Sequence, residues 1–341
     1  MNLENLITII VNNNHFFLII VAFNILFVFF FNIISRYIPI LDKPDNIRKI
    51  HNSDIPLLGG LIIAINFSIY IFYYFPYNYE LSFISNYREI FSFYIIAIFI
   101  FITGLYDDKY SLNPNAKFIL ITIILMASIL LDESLAIREL RVDFINRVIP
   151  TNEFSIFFTI FCLLLFINAL NMFDGINLQV GTYSLIIFIF FLLNNIAVII
   201  SLVIMIALIF FLYLNYNNRS FLGDSGSLLL AYIIGYIFIK YYNLGIIENI
   251  ETIFIIMLIP GLDMLRLFIT RIYSGKNAFN PDNNHLHHIF NLYSKKKSYF
   301  LIQMMIAIPI VIYFTLFKSV IVIIFSILMY ILTIYLLKKI K

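Results

Sequence analysis

Three stretches of this chain set carboxylates beside glycine, the second with side-chain amides as well: Gly104-Leu-Tyr-Asp107-Asp108, Asn168-Ala-Leu-Asn171-Met-Phe-Asp174-Gly175-Ile-Asn177, and Phe221-Leu-Gly223-Asp224-Ser225-Gly226-Ser227. Acidic residues are otherwise scarce, 19 in 341 residues of which 62% are hydrophobic, so their recurrence at the ends of apolar runs calls for a cause. A charge at the edge of a membrane is unfavourable unless something pairs with it. Carboxylate and amide oxygens are hard donors, and the chemistry they suit is a divalent cation holding phosphate oxygens.

Each block alone has a plainer reading. Asp107 and Asp108 close an apolar run, where the helix terminus is already partly negative; each carboxylate is disfavoured there by a few tenths to about 1 kcal/mol, which a cation or a proton would relieve. Asn168, Asn171 and Asp174 share one face if their helix continues, and otherwise mark a helix end and a glycine turn. Asp224 opens an apolar run as an N-cap does, and the same geometry aims backbone N–H groups at an anion. Three of the five histidines lie in His285-Leu-His287-His288, downstream of Arg266 and Arg271. No cysteine accompanies them, and adjacent His287 and His288 are expected to diverge, so diphosphate contacts are a better reading than zinc. Arg48-Lys49-Ile-His51 leads into Pro56-Leu-Leu-Gly59-Gly60. Those residues suit a phosphate or an anionic lipid, or else simple positive-inside charge.

The elements that must position these blocks are membrane helices. A mean hydropathy of +0.97 with 12% charged residues excludes an ordinary soluble domain. A span needs roughly 20 apolar residues. Eleven runs qualify, near 15–36, 57–76, 90–106, 115–131, 153–170, 178–194, 196–214, 228–243, 252–272, 299–317 and 319–337, with Asn194-Asn195 and Lys318 splitting the two longest stretches. With the N-terminus outside, only six of the 22 Lys and Arg fall outside: Arg88, Arg138, Arg141, Arg147, Lys240 and Lys318. The positive-inside rule selects that orientation and puts the C-terminus in the cytoplasm. Every motif then lies on the cytoplasmic face; outside, only 132–152 has any size and reads as a small surface element. The expected architecture is an all-α integral membrane protein of about 11 transmembrane helices, one unit over 1–341, with no cleavable signal, repeat or soluble domain. Cys162 lies in an apolar run and packs as a small hydrophobe.

In order along the chain, Ile55 to Gly60, Gly104 to Asp108, Asn168 to Asn177, Phe221 to Ser227 and Asp263 to His288 resemble the polyprenyl-phosphate N-acetylhexosamine-1-phosphate transferases. One block is unspecific; five in sequence on one membrane face are highly specific. The resemblance implies transfer of a sugar-1-phosphate, most simply N-acetylglucosamine-1-phosphate, from a UDP-N-acetylhexosamine to undecaprenyl phosphate in the bacterial cytoplasmic membrane, with release of UMP. It implies Mg²⁺, with Mn²⁺ as substitute, on Asp224 and Asn171. Phe221 would stack on uracil and Asn177 hydrogen-bond it. Arg271, His285, His287 and His288 would hold the diphosphate, with Asn168 and His51 among the substrate contacts. Asp107, Asp108 and Asp174 would be catalytic; whether Asp107 acts as a base, a metal neighbour or a nucleophile stays open. Two positions depart from the family pattern: Asn177-Leu178, where many relatives carry Asp-Gly, and Asn283, where many carry Arg. The implied partners are the donor, the lipid acceptor and the bilayer; no nucleic acid is expected, and a homodimer is left open. The rival from a different class is an anion transporter, which would place its polar site near the bilayer midplane, often between repeats.

Overall fold

The computed structural model describes residues 3–44, 53–75, 83–277, 284–293, 298–316 and 319–339. Runs of Ile, Leu and Phe this long cannot leave backbone groups unpaired in lipid, and the helix satisfies them within the run. The helices are α1 (Leu3–Asn12), α2 (Asn14–Phe29), α3 (Phe31–Tyr37), α4 (Gly59–Tyr74), α5 (Tyr87–Tyr110), α6 (Pro114–Leu131), α7 (Ser155–Phe173), α8 (Gln179–Leu193), α9 (Val198–Tyr216), α10 (Gly223–Asn243), α11 (Ile250–Tyr273), α12 (Leu286–Tyr293), α13 (Ser298–Leu316) and α14 (Ser319–Lys339). Among the described residues, eight are long and apolar enough to cross a membrane: α5, α6, α7, α9, α10, α11, α13 and α14. The pair α1–α2, bent by 80° at its break, counts as a ninth if it is one span. The apolar helices α4 and α8 are shorter, 16 and 15 residues. The chain is a multi-pass membrane protein.

Each expected apolar run coincides with helix, and three details differ. The first run breaks at Phe30 into α2 and α3, and α1 precedes it. The eighth run starts at Gly223 rather than near 228, because its first turn has a cap from another helix, described below. The protein is also not purely helical. Two small antiparallel hairpins appear: β1 (Leu41–Asp42) with β2 (Ile55–Pro56), and β3 (Glu139–Val142) with β4 (Arg147–Pro150), which is the form taken by the 132–152 element.

The arrangement is set by α10. Its apolar window is entirely buried, and α5, α7 and α4 pack around it. Glycine allows the closest crossings. A side chain at Gly104 would strike the backbone of Asp224 and Ser225, and one at Gly60 would strike Gly226. Outside this centre, α9 packs on α8, α4 and α2, while α11 packs on α7, α13 and α14. Buried Asn24 of α2 and Asn66 of α4 exchange amide hydrogen bonds of 2.7 and 3.0 Å, which fixes their register. Short α12 lies against α13 and α14.

Candidate functional site

The N-terminus of α10 has four N–H groups without partners in its own helix. Asp108, near the end of α5, supplies acceptors: its two carboxylate oxygens accept from Asp224 N (2.7 Å) and Ser225 N (3.0 Å). Asp224 is therefore not the cap of its own helix, and the anion at this terminus is a side chain of the protein itself. Gly223, at φ +73°, turns the chain into α10 and lies so close to Asp108 that a side chain there would meet its carboxylate. With its backbone held in this way, Asp224 is free to present its carboxylate sideways.

That carboxylate meets two other side chains, Asn171 and Lys117. Asn171, at the end of α7, donates to Asp224 Oδ1 (2.8 Å) and to Ser227 Oγ (2.9 Å). Lys117 of α6 forms an ion pair with Asp224 and another, of 2.8 Å, with Asp107 Oδ2. Its ammonium also donates to Asn171 Oδ1 at 3.3 Å. The other oxygen of Asp107 accepts from Leu112 N (2.6 Å) in the turn after α5. Four helices thus converge on one polar cluster, whose Asp224 side chain is still 35% exposed.

The second half of the site comes from the loop after α7. The helix stops at Phe173, so Asp174 is its C-cap rather than a fourth-turn partner of Asn168 and Asn171. Asn168 turns its amide onto Leu164 O of its own helix (2.8 Å) and does not join the carboxylates. Burial and the like charges of Asp224 and Asp108 push Asp174 up to about 8. Gly175 follows with no room for a side chain: the His287 ring lies directly on it. Burial and the neighbouring imidazoles of His288 and His285 hold His287 well below the usual histidine range, so it is neutral at pH 7. The three rings form one cluster. His287 and His288 centroids are 4.3 Å apart, so they converge rather than diverge; a 100° step per residue leaves two rings in one turn able to meet. His285 stacks on His287 at 5.3 Å and lies 3.5 Å from the buried Arg271 guanidinium.

Asn177 and Phe221 sit to one side of the carboxylates. Asn177 Nδ2 donates to Asn215 O (3.0 Å) and Asn218 Oδ1 (2.6 Å), tying the start of α8 to the turn after α9. Phe221 is half-buried and held by its backbone: its N–H donates to Pro56 O, and its carbonyl accepts from Gly59 N, both at 2.9 Å. Gly59 and Gly60 therefore serve this close backbone pairing; the phosphate contact expected of them has no such support. His51, with Arg48 and Lys49, lies outside the described residues.

Asp224 Oδ2 and Asn171 Oδ1 are the oxygens that could hold a hard divalent cation, because both already meet one positive charge, the Lys117 ammonium. Among the described residues no three His, Cys, Asp or Glu side chains could hold a metal ion by themselves. Two protein oxygens are a set that a hard cation keeping several of its waters can take beside substrate phosphates.

Residues 90–242, from α5 to the end of α10, match the family model described as glycosyl transferase family 4. They contain Asp107, Asp108, Lys117, Asn171, Asp174 and Asp224, which is the whole carboxylate cluster.

Over that stretch the chain is similar to glycosyl transferase family 4.

Among its curated relatives is the undecaprenyl-phosphate alpha-N-acetylglucosaminyl 1-phosphate transferase of Escherichia coli O157:H7, 28% identical over 289 residues, covering 78% of this chain and 73% of the relative. The protein so named in Yersinia pestis is 26% identical over 280 residues, with the same coverage. The "probable undecaprenyl-phosphate N-acetylglucosaminyl 1-phosphate transferase" of Bacillus subtilis (strain 168) is 26% identical over 269 residues, covering 73% of this chain and 68% of the relative.

Sequence reasoning did not pick out Lys117 in this site. It lies in the segment Pro114-Asn-Ala-Lys117 at the start of α6, where a lysine reads as ordinary positive-inside charge. Its signal was available only in part: a lysine on the first turn of a helix meets an unfavourable dipole, so its placement there needs a carboxylate partner.

Proposed function

We propose that this chain transfers an N-acetylhexosamine-1-phosphate, most simply N-acetylglucosamine-1-phosphate, from a UDP-sugar to undecaprenyl phosphate and releases UMP. The observation that carries the reading is the facing pair of clusters: Lys117 bridging Asp107, Asp224 and Asn171 on one side, and the His287 ring seated on Gly175 beside Asp174 on the other. The names of the relatives supply the reaction. Phosphoryl transfer asks a protein mainly to position reactants and neutralise charge, and such a cleft provides for both. A lipid phosphate oxygen attacks the β-phosphorus of the donor; the new P–O bond forms as the bond to the bridging oxygen of UMP breaks.

On this reading, Lys117 meets diphosphate oxygens and keeps Asp107 and Asp224 from repelling each other before the donor arrives. Neutral His287 donates one N–H to the diphosphate, and Arg271 adds charge beside His285. Asp107 faces the acceptor phosphate, while Asp108 fixes the start of α10 and so the aim of Asp224. Phe221, flanked by a fixed backbone, offers its ring to the uracil. When bound on Asp224 and Asn171, Mg²⁺, or Mn²⁺ in its place, would offset the charge of the leaving UMP. The transporter reading loses its basis: the family 4 cluster gathers at helix ends, where α5 stops and α10 starts, and not at midspan.

The same reading takes α2, α4 and α8 as further spans. That gives eleven, with the N-terminus outside and the site facing the cytoplasm of a bacterial inner membrane. Purified protein with undecaprenyl phosphate and a panel of UDP-N-acetylhexosamines should release UMP, fastest with UDP-N-acetylglucosamine; no UMP from any donor would overturn the assignment. A cysteine at Asn217 should be labelled only from the cytoplasmic side, and labelling from outside would reverse the orientation.

A further inference from the structure

The histidine cluster is held from behind by residues to which no role has been given above. Leu286 opens α12, and its N–H donates to Asp263 Oδ2 (3.1 Å). Asp263 belongs to α11 and is 3% exposed. Its other oxygen accepts from Arg266 (2.7 Å) and from the Tyr330 hydroxyl of α14 (2.8 Å). Arg266 closes the ring: Nε donates to Tyr330 Oη (2.8 Å), and a terminal nitrogen also donates to Asn284 O (2.6 Å). Two backbone groups that bracket His285, one on each side, are therefore bonded to one buried ion pair.

We infer that Asp263, Arg266 and Tyr330 form a clamp that positions the His285–His288 segment against Gly175, and that Tyr330 is a positioning residue for the reaction proposed above. The geometry carries this beyond simple helix packing. A buried carboxylate and guanidinium need partners for all their polar atoms, and here those partners are the main chain of the loop that delivers the imidazoles. The hydroxyl of Tyr330 touches both members of the ion pair, so it sets the rotamers of each. Because α14 supplies it, the last helix contributes to a site whose other parts lie on α5 to α12.

Tyr330→Phe removes one oxygen and preserves the ring. Carbethoxylation of the intact protein by diethyl pyrocarbonate, followed by peptide mass spectrometry, reads His287 and His288 against exposed His15 as internal reference. The clamp predicts severalfold faster modification of His287 and His288 in the variant, with His15 unchanged; equal rates would overturn it. Asp263→Asn, which keeps the shape and removes the charge, should act in the same direction and serves if the first variant fails to fold. In turnover, Tyr330→Phe should lower kcat/KM by about tenfold, the scale of losing one buried hydrogen bond. The loss should be absent in a His287→Ala background, because a positioning residue acts only through what it positions; the same factor in both backgrounds would mean packing alone and would overturn the inference. Should the wild type release no UMP with any donor, the proposed reaction fails, and the labelling still decides the clamp.

Discussion

Two buried lysines mark the two ends of α10, and the same three helices build both surroundings. At one end Lys117 of α6 bridges Asp107 of α5 and Asp224 of α10. At the other end Lys240 of α10 bridges Glu89 of α5 (2.7 Å) and Asp132 (3.0 Å), the residue that caps α6. Each cluster has one ammonium and two carboxylates; what differs is closure. Around Lys240 the remaining valences are taken by protein: Tyr236 donates to Asp132, Ser134 accepts from Lys240, and Ser85 N and Asn86 occupy Glu89. Its side chains are between 1% and 10% exposed. Around Lys117 the Asp224 side chain is 35% exposed, a glycine turn lies alongside, and burial together with the like charges of Asp224 and Asp108 pushes Asp174 up to about 8. A closed ion cluster fixes helices, whereas an open one leaves donor capacity for a ligand. The identity of the charges does not distinguish the two; the completeness of their partners does.

The sharpest way to break this comparison is to remove each lysine in turn. Lys240→Met leaves two buried carboxylates uncompensated, and breaking a buried pair in this way typically costs about 3–5 kcal/mol. The expected outcome is a large drop in thermal stability in detergent with turnover per folded molecule kept near wild type. A variant that stays stable but loses activity would place the outer cluster in the chemistry.

Lys117→Met should do the reverse. Stability should change little, because Asp107 and Asp224 are near enough to water to take up protons or counterions. Turnover should fall by roughly 10²–10³, the loss seen when one group that stabilises developing charge is removed. Near-normal kcat/KM in folded protein would demote Lys117 to a tether.

Gly175→Ala tests a smaller effect on the open side. The added methyl must push the His287 ring away, and forced overpacking of this kind costs about 1–3 kcal/mol. The shift should appear as weaker donor binding, with the Lys240 cluster and the melting temperature nearly unaffected. Equal losses at both ends would mean that the two regions are not separable.

The length of the apolar runs placed helix in all eleven expected stretches, because lipid leaves a chain no other way to satisfy its backbone. The motif blocks raised the expectation of a phosphate site, and packing brings the helix ends that carry them into one polar cluster. The sequence could not say which polar group answers which. Asp108 reads as a catalytic twin of Asp107, yet tertiary packing spends both its oxygens on the start of α10. Asn168 looks equivalent to Asn171, yet only the latter points across to Asp224. Tyr330 gave no sequence signal, and Lys117 gave only the weak one of a cation on a first helical turn, because a lone lysine at a span end and a tyrosine in an apolar helix are common in any membrane protein. Helix existence is a local property, decided by burial and backbone pairing within one run. The pairing of Lys117 with Asp224, 107 residues apart, and of Tyr330 with Asp263, 67 apart, is a property of how helices cross. The first rests on the glycines that let α5 and α4 approach α10, and no spacing along the chain records either contact.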